Sequence, residues 1–370
     1  MSIVIGGDVV SENGAIHNNA GFNSLKQALK NLVNEKDVFC INLEGAISPS
    51  TQYRLSKIGP CTTNDKSIIE EFKVSNHFMV TLANNHMLDF GKAGLNETCN
   101  YLQSADICII GAQTTEQSNY IYDIREVDDQ KVAFIAFAEE EFNREGNVGA
   151  YVADYREAYL LVNYLLTKVD KIIAQYHGGI EHTETPTPSQ RSFCKFLLDI
   201  GCDVVVGHHS HCIGCVEEYN GKYIIYSVGN LYFPKASTDA LWRKGALIRI
   251  AFQDNGQLCI ALAEISYSAD NISVTNTDWA NIESWLAKNE NFRLDDYCYP
   301  DKWQKLSAKM ETRYMLLATV PTVFRGIFRA SIFLRIKSYF FGRMNRLLKL
   351  NLYRCSSHRD LVIDILKRNK

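Results

Sequence analysis

The chain has 370 residues, of which 46% are hydrophobic and 22% charged, and its formal net charge is −3. These values are typical of a soluble protein with a sizeable core and exclude a low-complexity chain. The charge is uneven, because residues 313–370 hold 13 Lys and Arg against two Asp, while the preceding residues hold 26 Lys and Arg against 40 Asp and Glu. The acidic body argues against nucleic acid as a partner, since phosphate contacts need dense Lys and Arg.

Cysteine usage and the start of the chain bear on its compartment. Eleven cysteines without framework-like spacing, and no secretory signal, predict a reducing, cytoplasmic environment. Cys212 and Cys215 have the spacing of a redox motif, but we favour two reduced thiols over a redox or metal-sulfur role. The longest charge-free stretch of the basic segment, residues 314–324, is too short to span a bilayer.

Short apolar strands alternate with helices in the first third of the chain. Strands are predicted over residues 2–10, 38–43, 78–82 and 108–111, and helices over residues 24–33, 65–72 and 94–105. Polar groups lie where the strands end: Asp8, then Glu44, then Asn85 and His86 with Asp89 close behind. Taken singly, such residues are turn chemistry as often as catalytic groups. Asp89 is placed to orient a ring nitrogen of His86.

The most informative stretch, residues 171–230, holds five of the nine histidines. It follows a predicted hairpin over 121–127 and 131–138 and a helix over 154–168. Two apolar runs, 172–176 and 204–206, stop at imidazoles, and residues 190–200 between them have helical spacing that closes at Gly201. This strand, helix, strand unit brings His177 and the pair His209 and His211 to one edge of a sheet. A lone histidine there is usually a core residue, but three favour a metal site.

The later part of the chain predicts antiparallel pairs. One hairpin joins residues 215–219 and 222–227 through Asn220-Gly221, and another joins 246–252 and 257–267. A parallel half followed by an antiparallel half predicts an α/β fold with two stacked sheets between helical layers. The domain prediction is one domain over 1–268, an accessory helix and loop over 269–312 that includes a helix at 279–288, and a basic helical tail over 313–370.

The basic tail has two interpretations that the sequence leaves open. Its large apolar residues, from Phe324 to Phe340, interleave with arginines and lysines such as Arg325, Arg335 and Lys337. That pattern fits an amphipathic helix on an anionic membrane, which would place a cytoplasmic protein at the inner face of the membrane. A solvated helix docked on the acidic body fits equally well.

The polar strand ends converge if the strands share one sheet edge, as in open α/β folds. With His86 set aside, the group contains two carboxylates, one amide oxygen and three imidazoles: Asp8, Glu44, Asn85, His177, His209 and His211. This mixed set suits two divalent ions, Mn, Fe, Zn or Mg, with Glu44 long enough to bridge them. Two such ions can lower the pKa of a shared water, and His86 would protonate a leaving group or stabilise developing charge.

Several motifs together carry a resemblance to a known family over residues 1–268. They are Gly7-Asp8, Asn42-Leu43-Glu44, Asn84-Asn85-His86 with Asp89, His177-Gly178-Gly179 with Glu181, Gly207-His208-His209-Ser210-His211, and Tyr226-Ser227-Val228-Gly229-Asn230. In this order they resemble the bacterial CapA capsule-synthesis proteins, also called poly-gamma-glutamate synthesis proteins, which are related to the calcineurin-like metallophosphoesterases.

The resemblance implies a four-layer αββα sandwich with a dinuclear metal centre. One metal would be held by Asp8, Glu44 and His211, and the other by Glu44, Asn85, His177 and His209. His86 corresponds to the catalytic acid of the family's Asn-His motif, and Glu181 and Asn230 to residues of the pocket wall.

The chain departs from the pattern in three respects. The wider superfamily has Asp-x-His as its first motif, but here Val10 stands in place of that histidine, so one metal lacks a ligand. The bridging carboxylate is Glu44 in place of Asp. Family members also commonly carry an N-terminal membrane anchor, which this sequence does not show.

The function that the resemblance implies is a phosphoesterase-type, metal-dependent hydrolase in capsule or envelope polysaccharide biosynthesis. Its substrate would be a small molecule, a polysaccharide or a lipid-linked intermediate. The alternatives are a non-catalytic accessory protein of a polymer synthase or exporter, and a hydrolase of gamma-glutamyl amides. We expect specificity to lie in the loops over 48–62, 139–150 and 183–190.

Overall fold

The computed structural model describes residues 1–11, 19–57, 59–114, 119–234, 239–253, 257–270, 273–318 and 343–368. The strands in chain order are β1 Ile3–Val9, β2 Val38–Leu43, β3 Ala46–Ile47, β4 Thr63–Asn64, β5 His77–Thr81, β6 Cys108–Ile110, β7 Ala112–Gln113, β8 Asn119–Tyr120, β9 Tyr122–Val127, β10 Gln130–Ala138, β11 Arg144–Glu145, β12 Val148–Ala150, β13 Lys171–His177, β14 Val204–His208, β15 Val216–Tyr219, β16 Lys222–Ile225, β17 Asn230–Tyr232, β18 Lys244–Phe252, β19 Leu258–Tyr267, β20 Val274–Asn276, β21 Ala280–Asn281 and β22 Arg293–Leu294. The helices are α1 Ala20–Leu32, α2 Ser67–Phe72, α3 Gly91–Ser104, α4 Tyr155–Leu165, α5 Pro188–Asp199, α6 Ile282–Lys288, α7 Tyr299–Ala318, α8 Arg343–Arg354 and α9 Ser356–Arg368.

Two large sheets form the centre of the molecule. The first has the order β20-β19-β18-β1-β2-β5-β6, with β17 beside β1 and β21 beside β19, and the second has the order β22-β15-β16-β14-β13-β10-β9. Parallel pairs run through the middle of both sheets. The change from parallel to antiparallel along the chain does not separate the sheets, because β18 pairs antiparallel with β1 and extends the first sheet.

The layers follow from which face each strand residue occupies. On β14, Val204 and Val206 join the interior shared by both sheets, while Val205 packs on the opposite face with Phe193 of α5. Helices α1, α2, α3 and α6 cover the first sheet, and α4 and α5 cover the second. The order helix, sheet, sheet, helix confirms the predicted four-layer αββα sandwich. Because the central strands are buried on both faces, their sequences are continuous apolar runs.

Helix boundaries depend on capping that apolar spacing does not show. The α5 helix begins at Pro188, two residues before the predicted start, because the Thr187 side chain accepts a hydrogen bond from the Gln190 N–H and proline fits the first turn. The α1 helix begins at Ala20, four residues before the predicted start, where Asn19 caps the Phe22 N–H.

Helices α7, α8 and α9 form a third apolar cluster at the end of the sandwich where the polar strand ends lie. This cluster includes Trp303 and Tyr314 of α7, Leu352 of α8 and Leu361 of α9, and it packs against Ile180 of the body. The residues between Phe324 and Phe340, on which the membrane interpretation depends, lie outside the described residues. Among the helices that are described, none is long and apolar enough to cross a bilayer.

Candidate metal centre

The polar groups that end the strands meet at one end of the two sheets. Asp8 lies near the end of β1, Glu44 follows β2, Asn85 and His86 follow β5, His177 ends β13, and His209 and His211 follow β14. Each of these residues is less than one tenth exposed. His209 and His211 both have positive φ, 90° and 55°, in the turn that leaves β14. This turn lets both imidazoles point towards the same site.

Asp8 joins the two sheets through polar contacts. Its Oδ1 accepts a hydrogen bond from Asn42 Nδ2 at 2.7 Å, and its Oδ2 accepts one from the backbone N–H of His209 at 3.1 Å. Nδ1 of His208 lies 3.3 Å from Oδ1, and Nδ1 of His211 lies 3.5 Å from Oδ2. Burial acts to raise the pKa of Asp8, but the interaction with His208 and the charges of nearby imidazoles outweigh it and lower that pKa.

His177 lies at the centre of the imidazole group. Its Nε2 is 3.1 Å from Asn85 Oδ1 and 3.1 Å from His209 Nδ1, and its Nδ1 is 3.1 Å from Asn42 Nδ2. Burial, followed by the neighbouring His209, lowers the pKa of His177 well below its ordinary value. The ring is therefore neutral near pH 7, which is the form that binds a metal ion.

Glu44 is a fully buried carboxylate at the centre of this group. Among the described residues, neither of its side-chain oxygens has a hydrogen-bond partner. Burial raises the pKa of Glu44 well above its usual value, and the charges of Asp8 and Glu181 raise it further. Donor atoms of Asp8, Glu44 and His211 all lie within 4.8 Å of one another. A buried carboxylate without donors is costly unless a cation neutralises it, so these residues fit a divalent ion.

His86 is held from behind by a carboxylate and an ammonium. Its Nδ1 donates to Asp89 Oδ2 at 2.6 Å, which leaves Nε2 3.5 Å from Glu44 Oε1. Lys57 Nζ forms an ion pair with Asp89 and lies 3.1 Å from His86 Nδ1. Burial, followed by the charge of Lys57, lowers the pKa of His86. Asp89 therefore contacts the ring nitrogen that the sequence predicts it to orient, and Lys57 forms an ion pair with Asp89.

A cavity of about 290 Å³ opens onto this centre. His86, His209 and the exposed Glu181 line it together with Tyr314 and His358 of the C-terminal helices. Asn230 is buried, does not line this cavity, and accepts a hydrogen bond at 2.9 Å from Nδ1 of His211. Its contact is with a predicted ligand, behind the cavity wall.

Sequence reasoning did not assign roles to Lys57, Glu141, His208 or His358. His208 stands within the motif Gly207-His208-His209-Ser210-His211, so its proximity to Asp8 was available from the pattern. Lys57 and Glu141 belong to the loops predicted to determine specificity, but no spacing marks them. His358 comes from a helix far along the chain, and only its tertiary position brings it to the cavity.

The thiols beside the centre are reduced and buried. Cys212 and Cys215 both have free side chains that are 1% exposed. Burial raises the pKa of each thiol to about 12, so both are neutral near pH 7. This agrees with the interpretation as two reduced thiols, since a redox-active cysteine needs a stabilised thiolate.

Two curated proteins are similar to the chain over about two thirds of its length. They are the PGA biosynthesis protein CapA of Bacillus subtilis, 25% identical over 241 residues, and the capsule biosynthesis protein CapA of Bacillus anthracis, 25% identical over 260 residues. The matches cover 64% and 66% of this chain, and they span 63% and 60% of the two relatives.

A solved structure of a phosphatase from Mycoplasma pneumoniae is similar to 76% of the chain and to 93% of its own length, with 13% identity and a TM-score of 0.44. The family model described as bacterial capsule synthesis protein PGA_cap matches residues 2–235, which is more than half of the chain. The chain therefore belongs to the PGA_cap family of bacterial capsule synthesis proteins.

Proposed function

We propose that the chain is a metal-dependent hydrolase of the phosphoesterase type that acts in the synthesis of a capsule or envelope polymer. The observation that carries this proposal is Glu44, a buried carboxylate without a hydrogen-bond partner among the described residues, beside Asp8 and His211. In a purely structural core, nothing would compensate the cost of desolvating this carboxylate. In a cation-binding site, the bound ion compensates it.

The proposed ligands are the residues predicted from the sequence, with one addition. They are Asp8, Glu44 and His211 for one divalent ion, and Glu44, Asn85, His177 and His209 for the other. His208 Nδ1, 3.3 Å from Asp8 Oδ1, supplies an imidazole where Val10 replaces the histidine of the first motif. Bound divalent ions would polarise the scissile bond and provide a nucleophile near neutral pH.

The protein's own contribution to proton transfer is His86. Its Nε2 lies near Glu44, and the Asp89 carboxylate stabilises the His86 ring when both ring nitrogens are protonated. Nε2 can therefore give that proton to the oxygen of a leaving group. Lys57 fixes Asp89, and the burial of all three side chains excludes bulk water from this exchange.

The proposed substrate enters through the cavity of about 290 Å³. Such a volume holds one end group and not a length of polymer, so we propose cleavage at a terminal or lipid-linked phosphate ester. Nucleic acid is not a proposed partner, because the acidic body would repel its phosphates. The basic residues of the tail would hold the protein near a membrane where lipid-linked intermediates are made.

The test combines metal analysis with turnover of a chromogenic phosphate ester. We expect the purified protein to hold divalent metal and to lose activity on chelation, and we expect Glu44→Gln and His177→Ala to lose metal and turnover together. His77→Ala is the matched control, because His77 begins β5, at the strand end opposite to Asn85 and His86. Full turnover in Glu44→Gln would overturn the proposal.

Two other outcomes would support the alternatives. A protein without chelator-sensitive turnover, and with fewer than two ions bound at this centre, would be an accessory protein that keeps a partial site. Cleavage of a gamma-glutamyl anilide without cleavage of the phosphate ester would identify an amide hydrolase, for which the same ligand set would serve.

A further inference from the structure

A second group of metal-ligand side chains lies at the cavity, beside the C-terminal helices. Cys355 sits at the junction of α8 and α9, His358 lies in the first turn of α9, and Glu141 follows β10. One donor atom from each residue lies within 4.8 Å of the other two. Cys355 is fully buried, while Glu141 and His358 are half-buried and line the cavity.

Local structure points the donors at one another. Cys355 and His358 are three residues apart at the start of a helix, so their side chains lie on one face. Nδ1 of His358 is 2.5 Å from the Tyr314 hydroxyl, and its Nε2 is 3.8 Å from Glu141 Oε1. An imidazole that binds a metal through one nitrogen usually has the other nitrogen held by an oxygen, as Tyr314 holds this one.

The neighbouring carboxylate, Glu139, is already engaged in hydrogen bonds to the C-terminal helices and to Gly179. Its oxygens accept hydrogen bonds from Gly179 N at 3.0 Å, from Ser356 Oγ and Ser357 N at 2.5 Å each, and from Ser357 Oγ at 2.8 Å. These donors satisfy Glu139, so it is not needed as a ligand. Glu141 is less engaged, because among the described residues its side chain accepts one long hydrogen bond, from Asn85 Nδ2 at 3.4 Å.

We propose that Glu141, Cys355 and His358 bind a zinc ion. One thiolate, one imidazole and one carboxylate are a borderline-soft ligand set that suits zinc better than magnesium or calcium. On binding, the Cys355 S–H bond is replaced by an S–Zn bond and the proton passes to solvent. Three protein ligands leave a fourth coordination position, and the ion borders the cavity that His86 and His209 also line.

This site shares no ligand with the centre proposed above, whose ligand set contains no cysteine. It would also join the C-terminal helices to the body. Glu141 lies within residues 2–235, which the family model matches, and Cys355 and His358 lie beyond that range. An ion there would stabilise the wall of the cavity and place positive charge in the cavity that His86 also lines.

Cobalt substitution tests the site through a signal that only a thiolate ligand produces. We expect the full-length protein loaded with Co²⁺ to show a thiolate-to-cobalt charge-transfer band in the near ultraviolet. Cys355→Ser should abolish it, while Cys212→Ser, a buried thiol beside the other centre, should keep it. Glu44→Gln should also keep it, so failure of the proposed hydrolase does not affect this result. Absence of the band in the cobalt-loaded wild type, or its persistence in Cys355→Ser, overturns the proposal.

Elemental analysis and a second variant cover the case in which Cys355→Ser does not fold. Glu141 is half-buried in a loop, so Glu141→Gln leaves the packing in place. We expect it to lower bound zinc by one equivalent relative to the wild type and to shift the cobalt spectrum. Unchanged zinc content with an unchanged spectrum in Glu141→Gln would overturn Glu141 as a ligand and with it the three-residue site.

Discussion

The backbone N–H of His209 donates a hydrogen bond to Asp8 Oδ2 at 3.1 Å, although 201 residues separate the two along the chain. Asp8 belongs to a strand of the first sheet, and His209 to the turn that leaves a strand of the second. The bond therefore fixes the two sheets relative to each other at the end where the imidazoles gather. The same carboxylate would serve as a ligand, so the geometry of the candidate centre and the packing of the sandwich depend on one residue.

Substitution of His86 separates proton transfer from metal binding. We expect His86→Gln to lower kcat by about 10²–10⁴-fold with unchanged metal content, because the residue supplies a proton and holds no ion in our proposal. Asp89→Asn, which acts through the His86 ring, should lower kcat by about 10–100-fold. Steady-state kinetics with parallel elemental analysis measures both. A loss of metal in His86→Gln would show that His86 is a ligand.

Replacement of Glu44 should affect the metal-free and metal-loaded proteins in opposite directions. In the metal-free protein the carboxylate is buried and has no hydrogen-bond partner among the described residues, so Glu44→Gln should raise the free energy of unfolding by about 1 kcal/mol. With divalent metal present, the wild type should be the more stable protein, because bound ions stabilise the folded state. Thermal unfolding with and without chelator measures this. A variant that is less stable than the wild type after chelation would contradict it.

Glu139 holds the C-terminal helices against the loop that follows His177. Glu139→Gln removes a negative charge that accepts four hydrogen bonds, three of them from Ser356 and Ser357. We expect faster hydrogen exchange in residues 343–368, with little change in the strands of the two sheets. Glu145→Gln, a substitution of a surface glutamate, is the control. Equal exchange in both variants would mean that apolar packing alone holds these helices.

The ion pair between Arg191 and Glu217 should contribute to stability. Glu217 is 2% exposed, and it accepts hydrogen bonds from Arg191 Nε at 2.9 Å and from the Tyr226 hydroxyl at 2.7 Å. Arg191→Leu leaves that buried carboxylate with Lys195 as its remaining cation, 3.0 Å away. We expect the free energy of unfolding to fall by about 3 kcal/mol, which is at the low end for removing one partner of a buried ion pair. Denaturant unfolding measures it, and a loss below about 1 kcal/mol would show that Lys195 compensates.

Asp37 predicts how stability depends on pH. Burial acts to raise its pKa, but hydrogen bonds from Asn34 and Ser2 outweigh it and lower the pKa below its ordinary value. Because the folded pKa is the lower one, the stabilisation is present above about pH 4 and is lost as the pH falls through the folded value. Asp37→Asn should therefore cost about 1–3 kcal/mol at pH 7 and progressively less below pH 4. A pH-independent difference in unfolding free energy would contradict this.

The sequence alone determined which residues end the strands and what chemistry they carry. Apolar runs with polar ends predicted the parallel strands, and the family motifs predicted the sandwich and the order of its ligands. A strand that is buried on both faces needs a continuous apolar run, so each such strand can be recognised from its own short segment of sequence. The motif residues are local as well, since each follows its own strand within a few positions.

Tertiary structure alone decided which distant groups share the site. Lys57 reaches His86 and Asp89 from a loop without periodicity, and Cys355 and His358 reach Glu141 from helices more than 200 residues further along the chain. Such contacts depend on how separate elements pack, and packing is set by the summed shape and burial of many side chains. No short sequence motif predicts that packing, so the contribution of the C-terminal helices to the cavity could be identified only in the folded protein.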